Sequence, residues 1–119
     1  MRFCWSTLTV KNLEESLDFY QNIVGLALKR RFNAGPDSEI AFLGDGDTEI
    51  ELICNKGKQE IDAGKDISWG FETDSLDGVI SRLTEKGIAF TGPLQPIPHA
   101  RFIFAKDPNG MKIQFVQNL

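Results

Sequence analysis

The side chains in this sequence whose types and spacing fit chemistry are a few carboxylates, one amide and one indole. Glu49 and Glu51 stand two apart in the alternating segment Thr48–Cys54, so both point to one face of a strand, with Ile50 and Leu52 on the other. By the same parity Phe3, Trp5 and Thr7 share a face in the first ten residues. Ser68, Gly70 and Glu72 share one in Ile67–Thr73, Arg101 and Ile103 in Arg101–Ala105, and Lys112 and Gln114 in Met111–Val116. A face of this content is a solvated surface, an oligomer interface or a ligand-binding cup. On such a face Glu51 is the candidate catalytic residue, as a general base, or it is a structural partner for Arg101. Trp5 offers a ring on which a planar ligand can stack. Thr7, Glu51, Ser68, Glu72, Arg101 and Gln114 offer polar anchors.

The remaining reactive types are sparse. His99 is the single histidine and lies in the loop Pro96–Ala100, where it reads as a rim residue able to act as an acid or base. Cys4 and Cys54 lie in apolar runs at the opposite parity and read as reduced, buried thiols without a nucleophilic role. There is no phosphate-binding loop, dinucleotide fingerprint, nucleophile elbow or CxxC pair.

Two similar series of elements must position these groups. The first ten residues alternate as a strand. Asn12, with Glu15 three residues on, opens a helix carrying Leu13, Leu17, Phe19, Tyr20, Ile23 and Val24, and Gly25 closes it. Strands follow at 26–32, 39–43 and 48–54, separated by turns rich in Gly, Asp, Asn and Pro. Residues 55–66 form a polar connector. A strand at 67–73 then precedes a helix capped by Asp74 or Ser75, with Leu76, Val79, Ile80 and Leu83 inward and Gly87 at its end. Strands at 88–90, 101–105 and 111–116 complete the chain, the last two joined by the turn Asp107-Pro108-Asn109-Gly110.

The second series repeats the first at an offset of about 63 residues, with Leu13 matching Leu76, Leu17 matching Ile80, Ile50 matching Ile113 and Leu52 matching Phe115. The expected fold class is therefore α+β. Two tandem βαβββ modules form a curved mixed sheet with a cup-shaped open face, and the helices lie on the outer face. Leu8, Val10, Trp69, Phe71, Phe102 and Phe104 are expected to face the helices. The chain is read as one domain over residues 1–119, with module 1 at about 1–55, the connector at about 56–66 and module 2 at about 67–119.

Composition narrows the partners. The 119 residues are 41% hydrophobic and 25% charged, the profile of a globular domain, and no apolar run is long enough to span a bilayer. The net charge is −4, and the densest basic cluster is Lys29-Arg30-Arg31, so neither nucleic acid nor membrane is an expected partner. The first residues lack the apolar core and cleavage site of a signal peptide, so a cytoplasmic location is expected. The acidic balance favours a neutral or cationic ligand.

Two stretches carry a resemblance to a known family. They are Val10–Tyr20 followed by Gly25-Leu26, and Asp107-Pro108-Asn109-Gly110-Met111-Lys112-Ile113. With the repeat, they make the whole chain resemble the glyoxalase/bleomycin-resistance/dioxygenase group, the vicinal oxygen chelate superfamily. In the metalloenzymes of that family, four side chains from the first and last strands of the modules hold one divalent metal. The resemblance places those positions at Trp5, Glu51, Ser68 and Gln114, pairs that the repeat also relates. The family's usual occupants are His or Gln, Glu, His and Glu. Here Glu51 is intact and Gln114 supplies a neutral oxygen. A neutral Ser68 hydroxyl competes poorly with water, and the Trp5 indole nitrogen only donates. This set does not hold Zn²⁺ or Ni²⁺ tightly, so no cofactor is expected, and a divalent metal (Zn, Ni, Mn or Fe) belongs to the alternative reading.

Three functions follow. The resemblance to the bleomycin-resistance branch implies a metal-free protein binding a small organic ligand in the cup of a homodimer. The resemblance to glyoxalase I (lactoylglutathione lyase) implies instead a divalent-metal-dependent lyase or isomerase acting on a hemithioacetal, with Glu51 as ligand or base. The third is a non-catalytic dimeric scaffold with a vestigial cup.

Overall fold

The structure is a computed structural model and describes residues 1–119. The element order is β1 (Trp5–Val10), α1 (Leu13–Asp18, continued by a π-helical stretch Phe19–Val24), β2 (Leu28–Asn33), β3 (Ser38–Leu43), β4 (Glu49–Asn55), β5 (Ser68–Glu72), α2 (Leu76–Glu85), β6 (Phe90–Ile97), β7 (Ala100–Lys106) and β8 (Lys112–Asn118). The chain divides into two compact units, Met1–Ala63 and Gly64–Leu119. Each holds one four-stranded mixed sheet, in the orders β1-β4-β3-β2 and β5-β8-β7-β6. The class is α+β with tandem βαβββ modules, as expected. No helix is long and apolar enough to cross a membrane.

The helices start where the capping chemistry places them. The Asn12 side chain accepts from Glu15 N at 2.9 Å, and the Ser75 hydroxyl oxygen accepts from Gly78 N at 3.0 Å. Each satisfies a backbone donor that the first turn leaves without a partner. The first helix widens after Asp18, and its end is closed by Gly25 N donating to Tyr20 O at 3.1 Å, five residues back. Gly25 makes that closure at φ 89°, in the left-handed region where a side chain is strained. Phe19, Tyr20 and Ile23 are all buried in this stretch.

In the first unit β1 pairs with β4 in parallel, aligning Leu8 with Leu52, and β3 aligns Ala41 with that same Leu52. These residues form the buried side, on which α1 lies. In the second unit β5 and β8 align Phe71 with Phe115, and Ile103 of β7 lies across from Phe115. Ile103, Ile113, Phe115, Val79 and Leu83 are buried between this sheet and α2. Fully burying a Leu or Phe contributes about 1.5–3 kcal/mol, so these clusters dominate the cohesion of each unit.

Two sequence expectations need correction. β6 runs from Phe90 to Ile97, well beyond the expected 88–90. Pro93 and Pro96 hide it from a pattern reading, yet proline is tolerated on an edge strand, and β6 is the edge of its sheet. Its pairing with β7 slips twice, between Thr91 and Leu94 and between Leu94 and Ile97. Second, Phe102 and Phe104 do not face the helix. Register places Phe104 across from Gln114 and Phe102 across from Val116, on the open face, while Ile103 and Ala105 take the helix side. The run Phe102-Ile103-Phe104-Ala105 is apolar at both parities, so alternation cannot choose the face; the pairing with β8 does.

Candidate functional site

The open face of the first sheet is built from alternate residues of four strands. Register aligns Trp5 with Glu49, Thr7 with Glu51, Phe42 with Glu51, and Arg30 with Phe42. The Thr7 hydroxyl donates to Glu51 Oε1 at 2.6 Å. Trp5 is 45% exposed, and its ring meets Phe42 edge to face, with centroids 5.2 Å apart and planes at 75°. Phe32 lies nearly parallel to Phe42 at 6.3 Å and 15°. The Arg30 guanidinium sits over the Phe42 ring at 4.0 Å and lies 3.9 Å from Glu49. Three aromatic rings thus form one platform, with a carboxylate–hydroxyl pair beside it and a cation at its edge.

The open face of the second sheet carries Ser68, Gly70 and Glu72 from β5 alongside Lys112, Gln114 and Val116 of β8. Ser68 is exposed. The Gln114 side-chain oxygen lies across Gly70, 3.5 Å from where a Cβ there would stand. Glu72 accepts a hydrogen bond from Asn118 Nδ2. The Lys112 ammonium lies over the Phe104 ring at 4.2 Å.

Arg101 is not on this face, which corrects its expected place. It aligns with Gln117 on the helix side, and its Nη2 donates to Asp77 Oδ1 at 3.3 Å and Gln117 Oε1 at 3.4 Å. Gln117 Oε1 also accepts from Leu76 N at 2.9 Å. Arg101 therefore ties the start of α2 to β7 and β8, and its charge is engaged on the helix side of its own sheet. The physical reason is the strand phase already noted for Phe102 and Phe104. Cys4 and Cys54 are free and half-buried rather than buried, and Cys54 Sγ lies 3.7 Å from Lys11 O. His99 is exposed in the turn between β6 and β7.

Sequence reasoning missed Phe42, Phe32 and Arg30. Ile40-Ala41-Phe42-Leu43 is apolar at both parities, so nothing marks Phe42 as an open-face residue. For Arg30 and Phe32 the signal existed: they share a parity in β2, and both lie on the face of Phe42. The remaining charge cluster belongs to the opposite face. Arg31 donates through Nε to Glu39 at 2.7 Å and through Nη2 to Glu14. These bonds push the Arg31 guanidinium further towards its protonated form, and Arg31 holds the Glu39 carboxyl below the usual carboxylate range.

Residues 2–115 match the model of the Glyoxalase/Bleomycin resistance protein/Dioxygenase superfamily. The chain belongs to this superfamily. It is 35% identical to the lactoylglutathione lyase of Neisseria meningitidis serogroup B, over 98% of this chain and 91% of that protein. It is 31% identical to the lactoylglutathione lyase of Salmonella typhimurium, over 98% and 93%. Among solved structures, a glyoxalase family protein from Bacillus cereus superposes with a TM-score of 0.86 at 22% identity, covering 100% of this chain and 95% of that one. The antibiotic-binding protein TnmS3 of Streptomyces sp. CB03234 gives 0.75 at 24%, covering 100% and 97%. The fold is thus shared by proteins with different activities, and the site must decide between them.

The superfamily implies a divalent metal, so the donors must be tested against one. In the first unit the two positions that the resemblance implies are an indole, which has no lone pair to give, and a carboxylate already bonded to Thr7. In the second they are an exposed serine hydroxyl and a neutral amide, with an ammonium at the neighbouring Lys112. No three His, Cys, Asp or Glu side chains converge anywhere. Donors of this kind do not fit a tightly held transition metal.

Proposed function

We propose that this superfamily member is a metal-free binding protein for a small organic molecule, acting as a homodimer in the cytoplasm. The observation that carries this reading is Trp5. Where the family's metalloenzymes place a ligand, this chain places a ring that is packed on Phe42 and still 45% exposed. Such a ring offers apolar area at low entropic cost, and a flat ligand can cover it. Glu51, held by Thr7, then accepts a hydrogen bond from a ligand donor or faces a ligand cation. Ser68, Glu72 and Gln114 are the polar anchors offered by the second sheet. The cations Arg30 and Lys112 also lie on open faces, so local charge is mixed, and the net charge of −4 does not by itself select a cationic ligand.

A panel of small aromatic molecules, screened by quenching of tryptophan emission, tests this reading. Saturable quenching that disappears in Trp5→Phe while Trp69 remains supports it. A panel without saturable quenching, in a protein shown to be dimeric, counts against it and favours the non-catalytic scaffold.

A second reading, a lactoylglutathione lyase, is favoured by relatives of that name at 31–35% identity over nearly the whole chain. In this reading Glu51 is the ligand or base. Its test is turnover of a hemithioacetal of glutathione after loading with Ni²⁺, Zn²⁺, Mn²⁺ or Fe²⁺, and its abolition in Glu51→Gln.

A further inference from the structure

At the β6–β7 margin of the second unit lies an open-sided cavity of about 420 Å³. Ile88, Phe90, Thr91 and Phe104 contribute its walls, and Lys106 and Lys112 its cationic side. That volume lies within the range of small-molecule sites, roughly 300–1,000 Å³. None of the four family metal positions lines it, and neither does any residue of the first unit.

The two lysines are the informative feature. Lys106 and Lys112 stand directly across from one another in the antiparallel pairing of β7 and β8. Like charges so placed repel, and the arrangement costs stability unless something neutralises it. No carboxylate forms an ion pair with either ammonium. The adjacent Asp107 is turned inward: it is 5% exposed, and its Oδ1 accepts from Asn109 N at 2.8 Å and from Met111 N at 2.9 Å. Lys112 finds only the Phe104 ring.

We propose that this cavity binds a small organic acid with an apolar body. The acid's anion sits by Lys106 and Lys112 and relieves their repulsion with charge-assisted hydrogen bonds. Its body covers Phe104, Phe90 and Ile88. The site takes a carboxylate or sulfonate in preference to a neutral isostere of the same shape, because only the anion compensates two ammonium groups. The proposal does not rest on the Trp5 platform, since the two sites share no residue.

The experiment is an amide-resolved ¹H–¹⁵N titration of the whole protein with naphthalene-2-carboxylate and with naphthalene-2-carboxamide. The carboxylate is expected to shift the amides of Ala89, Thr91, Ala105 and Lys106, and to bind about tenfold or more tightly than the amide. In a Lys106→Gln, Lys112→Gln double variant that difference is expected to vanish, with the rest of the spectrum unchanged. Both lysines are exposed, so the variant leaves the core intact. Equal affinities for the two compounds, shifts centred on Trp5 and Phe42, or no saturable binding would each overturn the proposal. Because the Trp5 screen reads a different unit, quenching there without shifts here removes this inference and leaves the proposed function standing.

Discussion

Trp5 and Phe42 meet edge to face at 5.2 Å, from strands that are not neighbours in their sheet: β4 runs between them. The contact crosses over the strand that carries Glu51. It therefore fixes an aromatic roof beside the carboxylate that Thr7 holds. Phe104 repeats the place of Phe42 in the second sheet. Each lies across from a polar open-face residue, Glu51 or Gln114, and each carries a cation over its ring, Arg30 or Lys112. A platform of this kind binds by area and shape, which is the basis of the proposed metal-free reading.

Trp5→Ala is expected to leave the fold intact, because the side chain is half in solvent, and to weaken an aromatic ligand by about tenfold or more, the usual effect of removing a central aromatic anchor. Calorimetric titration of the two proteins with a hit from the fluorescence screen checks this. Unchanged affinity would remove Trp5 from the binding face.

Arg101→Met is expected to separate structure from binding. It deletes the bonds to Asp77 and Gln117 and loosens the start of α2, lowering stability by about 1–2 kcal/mol. Ligand affinity should not change, since Arg101 lies on the helix side. Urea unfolding and the same titration give both values; a loss of affinity at unchanged stability would return Arg101 to the ligand face.

The caps Asn12 and Ser75 are related by the repeat, and each satisfies one backbone donor. Replacing either by Ala should cost about 1 kcal/mol. Because they belong to separate helices in separate units, the double variant should lose the sum. Denaturant midpoints with unchanged slopes would verify it.

Glu39 supplies a pH dependence. Its carboxyl is held below the ordinary value by the Arg31 bond. The stability it contributes is fully present above the unfolded-state value near 4.5 and is lost as pH falls through the lower folded value. Glu39→Gln should therefore lower stability slightly at neutral pH, where the pair is intact, and flatten the acid limb below about pH 5, where parent and variant converge. Thermal midpoints across that range are the measurement. The pair is on the surface, so the effect is small and is screened by salt.

Legibility in the sequence followed how many physical signals agreed at a position. Both helices were readable because cap, apolar stripe and terminal glycine coincide at Asn12–Gly25 and Ser75–Gly87. The parity of β1, β4, β5 and β8 was readable because polar and apolar residues alternate there, which put Trp5, Thr7, Glu51, Ser68, Glu72 and Gln114 on open faces. It failed where both parities are apolar, at Phe42 and at Phe102–Ala105, because only strand pairing distinguishes the faces. β6 was lost because Pro93 and Pro96 argue against a strand in isolation, and the edge position that tolerates them is a tertiary fact. The aromatic platform was half visible: Trp5 could be named, but its partners come from β2 and β3, between 25 and 40 residues away in sequence.

The most direct test of the central claim is the metal content of the protein, purified without chelator, soaked with Ni²⁺, Zn²⁺, Mn²⁺ and Fe²⁺, and measured by elemental mass spectrometry. A site with one good ligand predicts less than about 0.1 equivalent of every metal, with Trp5 quenching by ligand unaffected by chelator. Near-stoichiometric retention of one metal, lost in Glu51→Ala, would contradict the account and move the lactoylglutathione lyase reading to first place.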